Sequence, residues 1–273
     1  MTTARSAGQG LASARSRVAP VGSHLELLDV EPGRAAVDVA ESFRDLPGLV
    51  LLESLRPGRR SRWSYLAANP LAVVERPAPG PDVFADARRE LARMTAGPAA
   101  GHAESRGGRS SEPGERGPSD HPPFAGGLVG FLGYDLGRWL ERLPSIARDD
   151  LDLPPLRLAL HDWVVAWDRR AGRVWLAGRA VDGDERRFER RLADVRERLR
   201  ASVARPSPAG TTATEEPIFA SNLGRFAYEA AVEHVRSAIA AGEIYQANLA
   251  RRLSTPFVAD PWPLYRRLRT GDP

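Results

Sequence analysis

The sequence contains no cysteine. Disulfides, thiol nucleophiles and cysteine-based zinc sites are excluded, and a reducing compartment is compatible with the chain. It also contains no lysine: all 39 basic residues are arginine. That excludes a Schiff base, a lysine general base and a covalent lysine nucleophile. No apolar run approaches the ~20 residues that span a bilayer, so no membrane partner is expected. The phosphate loop GxxxxGK[ST], the zinc motif HExxH and the nucleophile elbow GxSxG are absent. The five histidines are scattered. The net charge is only +4, with acids interspersed among the arginines, which argues against a nucleic-acid partner. The arginine bias, with abundant Ala, Gly and Pro, reads as GC-rich coding rather than a phosphate-binding surface.

What is present is 273 residues with 42% hydrophobic content, enough for one large domain or two small ones. Two segments interrupt the apolar patterning. Residues 96–121 are Gly, Ser, Pro, Arg and Glu with almost no apolar side chain, which predicts a disordered insertion. Residues 201–217 read as a linker. Residues 1–24 read as a disordered tail, since they lack the apolar core of a secretory signal. The domains expected are therefore 25–200 and 218–273.

Within them, GLVLLE at 48–53 has the length of a buried strand, and 63–67 and 71–75 are two more strands around the turn signal Asn69-Pro70. Residues 82–94 are helical, with Phe84, Ala87, Leu91 and Met94 on one face. A hairpin is predicted from 156–167 and 173–180, turning at 168–172. In 184–203, Phe188, Leu192, Val195 and Leu199 form an apolar stripe. Residues 225–241 form a helix with Tyr228, Ala231, Val235 and Ile239 inward. EIYQANLARRL at 243–253 alternates as a strand does. Asp260-Pro261 starts a last helix, with Pro at its first position and Tyr265 and Leu268 inward. Hairpin-like neighbours rather than βαβ units predict an α+β fold with antiparallel sheets flanked by helices.

The stretch PPFAGGLVGFLGYDLGRWLERLP at 122–144 is the most informative. Glycines punctuate it, yet the residues between are apolar. That predicts a buried strand whose backbone approaches something closely. Among candidate polar groups, Glu53-Ser54 closes a strand and is followed by Arg56, Arg59, Arg60 and Arg62. A carboxylate, a hydroxyl and guanidiniums at a strand end suit a small zwitterion; a solvated basic loop is the plainer reading. His161-Asp162 reads as a half-exposed strand pair whose side chains face opposite ways. Gln246 and Asn248 share one face of the 243–253 strand and either tie it to a loop or touch a ligand.

These segments together resemble component I of aminodeoxychorismate synthase, close to anthranilate synthase component I among chorismate-utilising enzymes. The resemblance is carried by LLES (51–54), RSRWSYLAANP (60–70), the 122–144 segment and LPPLRLALHDWVVAWD (153–168). It continues in SNLGRFAYEAAVEHVRSAIAAGEIYQANLARRL (221–253) and LYRRLR (264–269). LGYDLGR followed by Asp162-Trp163 is similar to the aminodeoxychorismate branch. The resemblance implies an anthranilate synthase component I-like fold and a cytoplasmic enzyme. In the reaction it implies, ammonia from a glutamine amidotransferase subunit replaces the chorismate C4 hydroxyl with Mg²⁺ assistance. It implies a tryptophan-type pocket at Ser54, Arg60, Ser61, Arg62 and Trp63, with L-tryptophan as ligand. Family catalytic groups, including the Mg²⁺ carboxylates and a PIKGT-type lysine, belong to a half with no counterpart here. The expectation is thus an N-terminal portion with a truncated C-terminal lobe, inactive alone, binding no Mg²⁺ itself and marginally stable. Anthranilate synthase component I and a non-catalytic module that binds aromatic amino acids are the alternatives.

Overall fold

The computed structural model describes residues 23–30, 34–56, 58, 61–78, 80–94, 121–144, 146, 149–202 and 218–271. Two units divide it, one up to Ser207 and one over Pro208–Asp272.

The first unit is built on two antiparallel sheets. Five strands, β1 (Ser23–Leu28), β2 (Val50–Leu52), β3 (Trp63–Ala67), β7 (Trp163–Asp168) and β8 (Arg173–Arg179), form a sheet ordered β1-β8-β7-β3-β2. Three more, β4 (Ala72–Val74), β5 (Gly127–Leu132) and β6 (Leu156–His161), form a sheet ordered β4-β6-β5. The helices are α1 (Ala36–Ala40), α2 (Ala85–Arg93), the single turn α3 (Gly137–Leu140) and α4 (Glu185–Ser202). The fold is α+β with antiparallel sheets flanked by helices, as the order of elements predicts.

Cross-strand register assigns the faces of the larger sheet, because residues directly opposite in an antiparallel pair share a face. Leu66 lies opposite Val165, Val165 opposite Leu176, and Leu176 opposite Glu26. This is the face the helices cover. Phe43 packs on Trp163 at 5.7 Å between ring centroids. Phe188, Leu192, Val195 and Leu199 of α4 are all buried, as their spacing requires. Arg196 reaches from the same helix to Glu26, Nε to Oε2 2.9 Å.

Four expectations are corrected. The apolar run 156–167 is not one strand. It breaks at Asp162, and its halves enter different sheets. A run apolar on every residue does not reveal where a chain bends from one sheet into the next. Ser23 and His24, assigned to the tail, open β1, where Ser23 pairs with Arg179. His121, assigned to the insertion, is placed, with its ring 5.4 Å from that of Trp175; residues 96–120 and 203–217 lie outside the described residues. The strand β5 is buried only at its start: Phe131 and Leu132 at its end are exposed. The close approach predicted for its glycines is present. A Cβ on Gly126, whose φ is +116°, would meet the His161 carbonyl at 2.9 Å, and one on Gly130 would strike the Arg157 carbonyl.

The second unit holds a two-residue pairing of β9 (Ala220–Ser221) with β10 (Leu253–Ser254), and helices α5 (Arg225–Ala240) and α6 (Pro261–Gly271). Helix α6 begins at Pro261 as expected, and the Asp260 carboxylate accepts the Trp262 N–H at 3.0 Å. Residues 243–252 are not a strand. A strand needs a hydrogen-bonded neighbour, and in this stretch only its end has one: Leu253 and Ser254 pair with β9, and the Arg252 carbonyl accepts the Asn222 N–H at 3.1 Å. Of the stripe predicted to face inward on α5, Tyr228, Ala231 and Val235 are half-buried and Ile239 is exposed; on α6, Tyr265 and Leu268 are both exposed.

Candidate functional site

The face of the large sheet opposite the helices gathers aromatic and charged side chains. Register places Trp63 opposite Asp168, Tyr65 opposite both Leu52 and Ala166, and Ala166 opposite Trp175. The segment 121–126 contributes two rings to this face. Phe124 meets Tyr65 edge-on at 5.7 Å, and His121 meets Trp175 edge-on at 5.4 Å. Trp63 stacks on Tyr65 at 6.2 Å. Burial pushes the Tyr65 hydroxyl above its usual pKa. The indole N–H of Trp175 is buried and has no hydrogen-bond partner among the described residues.

At the end of this face, the Arg62 guanidinium grips the fully buried Asp168 carboxylate as a fork. Nε donates to Oδ1 at 3.0 Å and Nη2 to Oδ2 at 2.6 Å. The same carboxylate accepts the N–H groups of Arg170 and Ala171 at 3.2 and 3.1 Å, closing the β7–β8 turn. These donors, Arg62 first, hold the Asp168 pKa below the usual carboxylate range. The Arg62 guanidinium also lies 4.9 Å from the centroid of the Trp63 ring.

The residues expected to line a tryptophan-type pocket are therefore placed as follows. Ser54 is exposed just after β2, and its carbonyl accepts a hydrogen bond from Arg169. Ser61 Oγ donates to the Gly58 carbonyl at 2.9 Å. Trp63 is half-buried, with its ring between Arg62 and Tyr65. Arg62 has its charge met by Asp168, so it is a support of the wall rather than an open anion-binding group. Arg60 lies outside the described residues. Sequence reasoning missed Tyr65, Phe124, Asp168 and Trp175. The period-two step from Trp63 to Tyr65 could have found one of them. The Arg62–Asp168 pair spans 106 residues and leaves no local signal. Gln246 and Asn248 are exposed in the second unit, 3.5 Å apart.

His161 and Asp162 differ most from expectation: both are fully buried. The break between the sheets turns each side chain into the interior. Asp162 is met by Arg191, Nε to Oδ1 3.1 Å, and Arg191 also donates to the Asn69 carbonyl. Burial pushes the Asp162 carboxyl up, against the pull of Arg191. Neither ring nitrogen of His161 makes a well-formed hydrogen bond. Burial, with the Arg191 charge, lowers its pKa to about 4, against the Ala68 backbone. This cluster is structural, since it has no access to solvent.

The side chains of this face are aromatic rings around the Arg62–Asp168 ion pair. They do not bring a general acid and base together. Among the described residues no group of three or more His, Cys, Asp or Glu is placed to hold a metal ion.

The family model described as "chorismate binding enzyme" matches residues 77–273. The anthranilate synthase component 1 of Mycobacterium tuberculosis H37Rv is 35% identical over 277 aligned positions, which cover 96% of this chain and 52% of that protein. The aminodeoxychorismate synthase component 1 of Klebsiella aerogenes is 30% identical over 155 positions, covering 57% of this chain and 32% of that protein. Among solved structures, anthranilate synthase component I from Streptococcus pneumoniae TIGR4 superimposes with a TM-score of 0.58 at 21% identity. That match covers 81% of this chain and 48% of the other. The chain belongs to the chorismate binding enzyme family. It spans about half the length of the curated relatives that match nearly all of it. No described helix is long and apolar enough to cross a membrane.

Proposed function

We propose that the chain is part of component I of a synthase that aminates chorismate, and that its product is 4-amino-4-deoxychorismate, the precursor of para-aminobenzoate. Family membership supports the substrate. The observation that carries the product is the LGYDLGR sequence at 132–138, followed by Asp162-Trp163, which is similar to the aminodeoxychorismate branch. On this reading a glutamine amidotransferase subunit supplies ammonia, ammonia displaces the C4 hydroxyl as water, and the enolpyruvyl group is retained. The aromatic wall at Trp63 and Tyr65, with the Ser54 hydroxyl at its edge, would take L-tryptophan. On this reading amination also needs the part of the relatives that these 273 residues do not match.

Anthranilate is the second reading. It is favoured by the breadth of the M. tuberculosis match, which runs over 96% of the chain, against 57% for the K. aerogenes protein. Product analysis separates the two. The protein is co-expressed with the polypeptide for the unmatched part of a relative, then given chorismate, Mg²⁺ and ammonium. Aminodeoxychorismate without pyruvate is the expected result. Anthranilate with stoichiometric pyruvate would overturn the first reading in favour of the second.

A further inference from the structure

The turn between β7 and β8 holds the segment from Ser54 to Arg62 at both of its ends. At the later end, Asp168 grips the Arg62 guanidinium, and the Arg169 N–H donates to the Arg62 carbonyl at 2.8 Å. At the earlier end, the Arg169 side chain reaches the residues that follow β2. Its Nη1 donates to the Ser54 carbonyl, and its Nη2 donates to the Leu55 carbonyl at 3.4 Å. Within the segment, the Ser61 N–H and hydroxyl both donate to the Gly58 carbonyl, at 3.2 and 2.9 Å. The strands β7 and β2 are not neighbours, since β3 lies between them in the sheet. Arg169 therefore makes a link that the strand ladder does not supply.

The two ends differ in what they contribute. Asp168 is fully buried, so its pairing with Arg62 belongs to the stability of the sheet. Arg169 is exposed. A hydrogen bond from an exposed guanidinium to solvated carbonyls adds little to global stability, because water can replace both partners. What it adds is position. Two donors of one planar group on two successive carbonyls fix the orientation of that stretch of backbone. The same backbone carries the Ser54 hydroxyl, two residues beyond Leu52, which lies opposite Tyr65. Fixing a binding segment in advance removes its ordering cost from the affinity.

We propose that Arg169 is a positioning residue for the aromatic-ligand site: it holds the Ser54–Leu55 backbone beside the wall of Trp63 and Tyr65 and does not itself touch the ligand. The inference rests on the reading of that wall as a site for L-tryptophan, and it names the residue that prepares the site from two strands away.

The test uses the full chain, which has no cysteine and so takes a spin label at one engineered thiol. A nitroxide is placed on Ser54→Cys, which keeps its carbonyl, and on Glu189→Cys at an exposed position of α4 as the control. Adding Arg169→Met should raise the mobile component of the spectrum at position 54 about twofold and leave the spectrum at 189 unchanged. L-tryptophan is titrated by calorimetry into the unlabelled chain. Arg169→Met should weaken binding at least about fivefold with no change in the urea midpoint. Arg169→Lys, which keeps one donor, should fall between it and the wild type. A spectrum at position 54 that does not respond to Arg169→Met would overturn the proposal, and so would an unchanged affinity. A urea midpoint that falls together with the affinity would make Arg169 a structural residue and overturn the proposal as well. A wild-type chain that gives no heat with L-tryptophan would sink the tryptophan reading. The label at position 54 would then decide the positioning alone, a response sustaining it and no response removing it.

Discussion

At the scale of single residues, two buried polar groups set how the first unit responds to acid. His161 is fully buried, and its pKa falls to about 4 in the fold from an ordinary 6.5. Its neutral form is therefore the folded form. The stability this contributes is complete above pH 6.5 and is lost as the pH falls from 6.5 to 4, because the unfolded chain takes up the proton first. At ~1.4 kcal/mol per pKa unit this is about 3 kcal/mol. Asp162, raised by the same burial, works the other way, its contribution falling as the pH rises through its elevated pKa. His161→Leu is expected to flatten the decline between pH 6.5 and 4 in urea-unfolding series, with little loss at pH 7, since the ring nitrogens it removes make no well-formed hydrogen bonds. An unchanged acid limb in that variant would show that another group sets it. The pair of Arg62 and Asp168 behaves differently. Asp168 is inaccessible, so Arg62→Met strips a buried carboxylate of its main counter-charge while keeping the stem. A loss of about 3 kcal/mol is expected, read as a lower urea midpoint. A loss below ~1 kcal/mol would mean that the turn N–H groups of Arg170 and Ala171 suffice to hold the charge. The depressed Asp168 pKa adds stability that is lost only as the pH falls below the usual carboxylate value.

At the scale of elements, what was legible in the sequence follows from whether the cause was local. The strand 63–67 and the stripe on α4 come from periodicity within a few residues, and the structure places both where the pattern says. The start of α6 at Pro261 was legible for the same reason. The break at Asp162 was not, because the residues on either side are apolar in both sheets and the bend is decided by how the sheets cross. The strand over 243–253 was misread in the opposite sense: its alternation is real, but pairing is a property of two segments. In the candidate site, Ser54 to Trp63 could be read as a cluster because they are adjacent. The role of Arg62 could not, because it depends on a carboxylate of the neighbouring strand, 106 residues away in sequence. The glycines of β5 were legible through their company: apolar neighbours exclude an ordinary loop. That reading makes a prediction. Gly130→Ala places a methyl against the Arg157 carbonyl in the β5–β6 ladder, so the strands must part or β5 must shift register. A loss of more than about 2 kcal/mol in thermal or urea unfolding is expected. Gly172→Ala is the comparison, since a Cβ there meets nothing within 4 Å, though its φ of +63° carries its own smaller cost of about 1 kcal/mol. Equal losses at the two positions would remove the close-approach argument.

At the scale of the whole molecule, stability is distributed unequally, and that follows from burial rather than from helix content. In the first unit, Trp163, Phe43, Leu66, Leu160, Leu176 and Leu192 are fully buried. In the second, no described residue is buried, although α5 and α6 together are longer than any helical segment of the first. Opening a segment costs what its buried contacts are worth, so the second unit should open at little cost whatever its helix content. Limited trypsin digestion of the chain alone has arginines to cut in both units, among them Arg225, Arg236, Arg251 and Arg266 in the second. Cleavage is expected at those sites well before Arg157, Arg173 and Arg191, which lie in β6, β8 and α4 of the first unit. Amides in α5 should exchange orders of magnitude faster than those of β7, which sits between two strands with both faces covered. If α5 instead resists trypsin in the chain alone as well as β7 does, the second unit draws stability from contacts other than those of its described side chains, and the unequal distribution argued from burial would not hold.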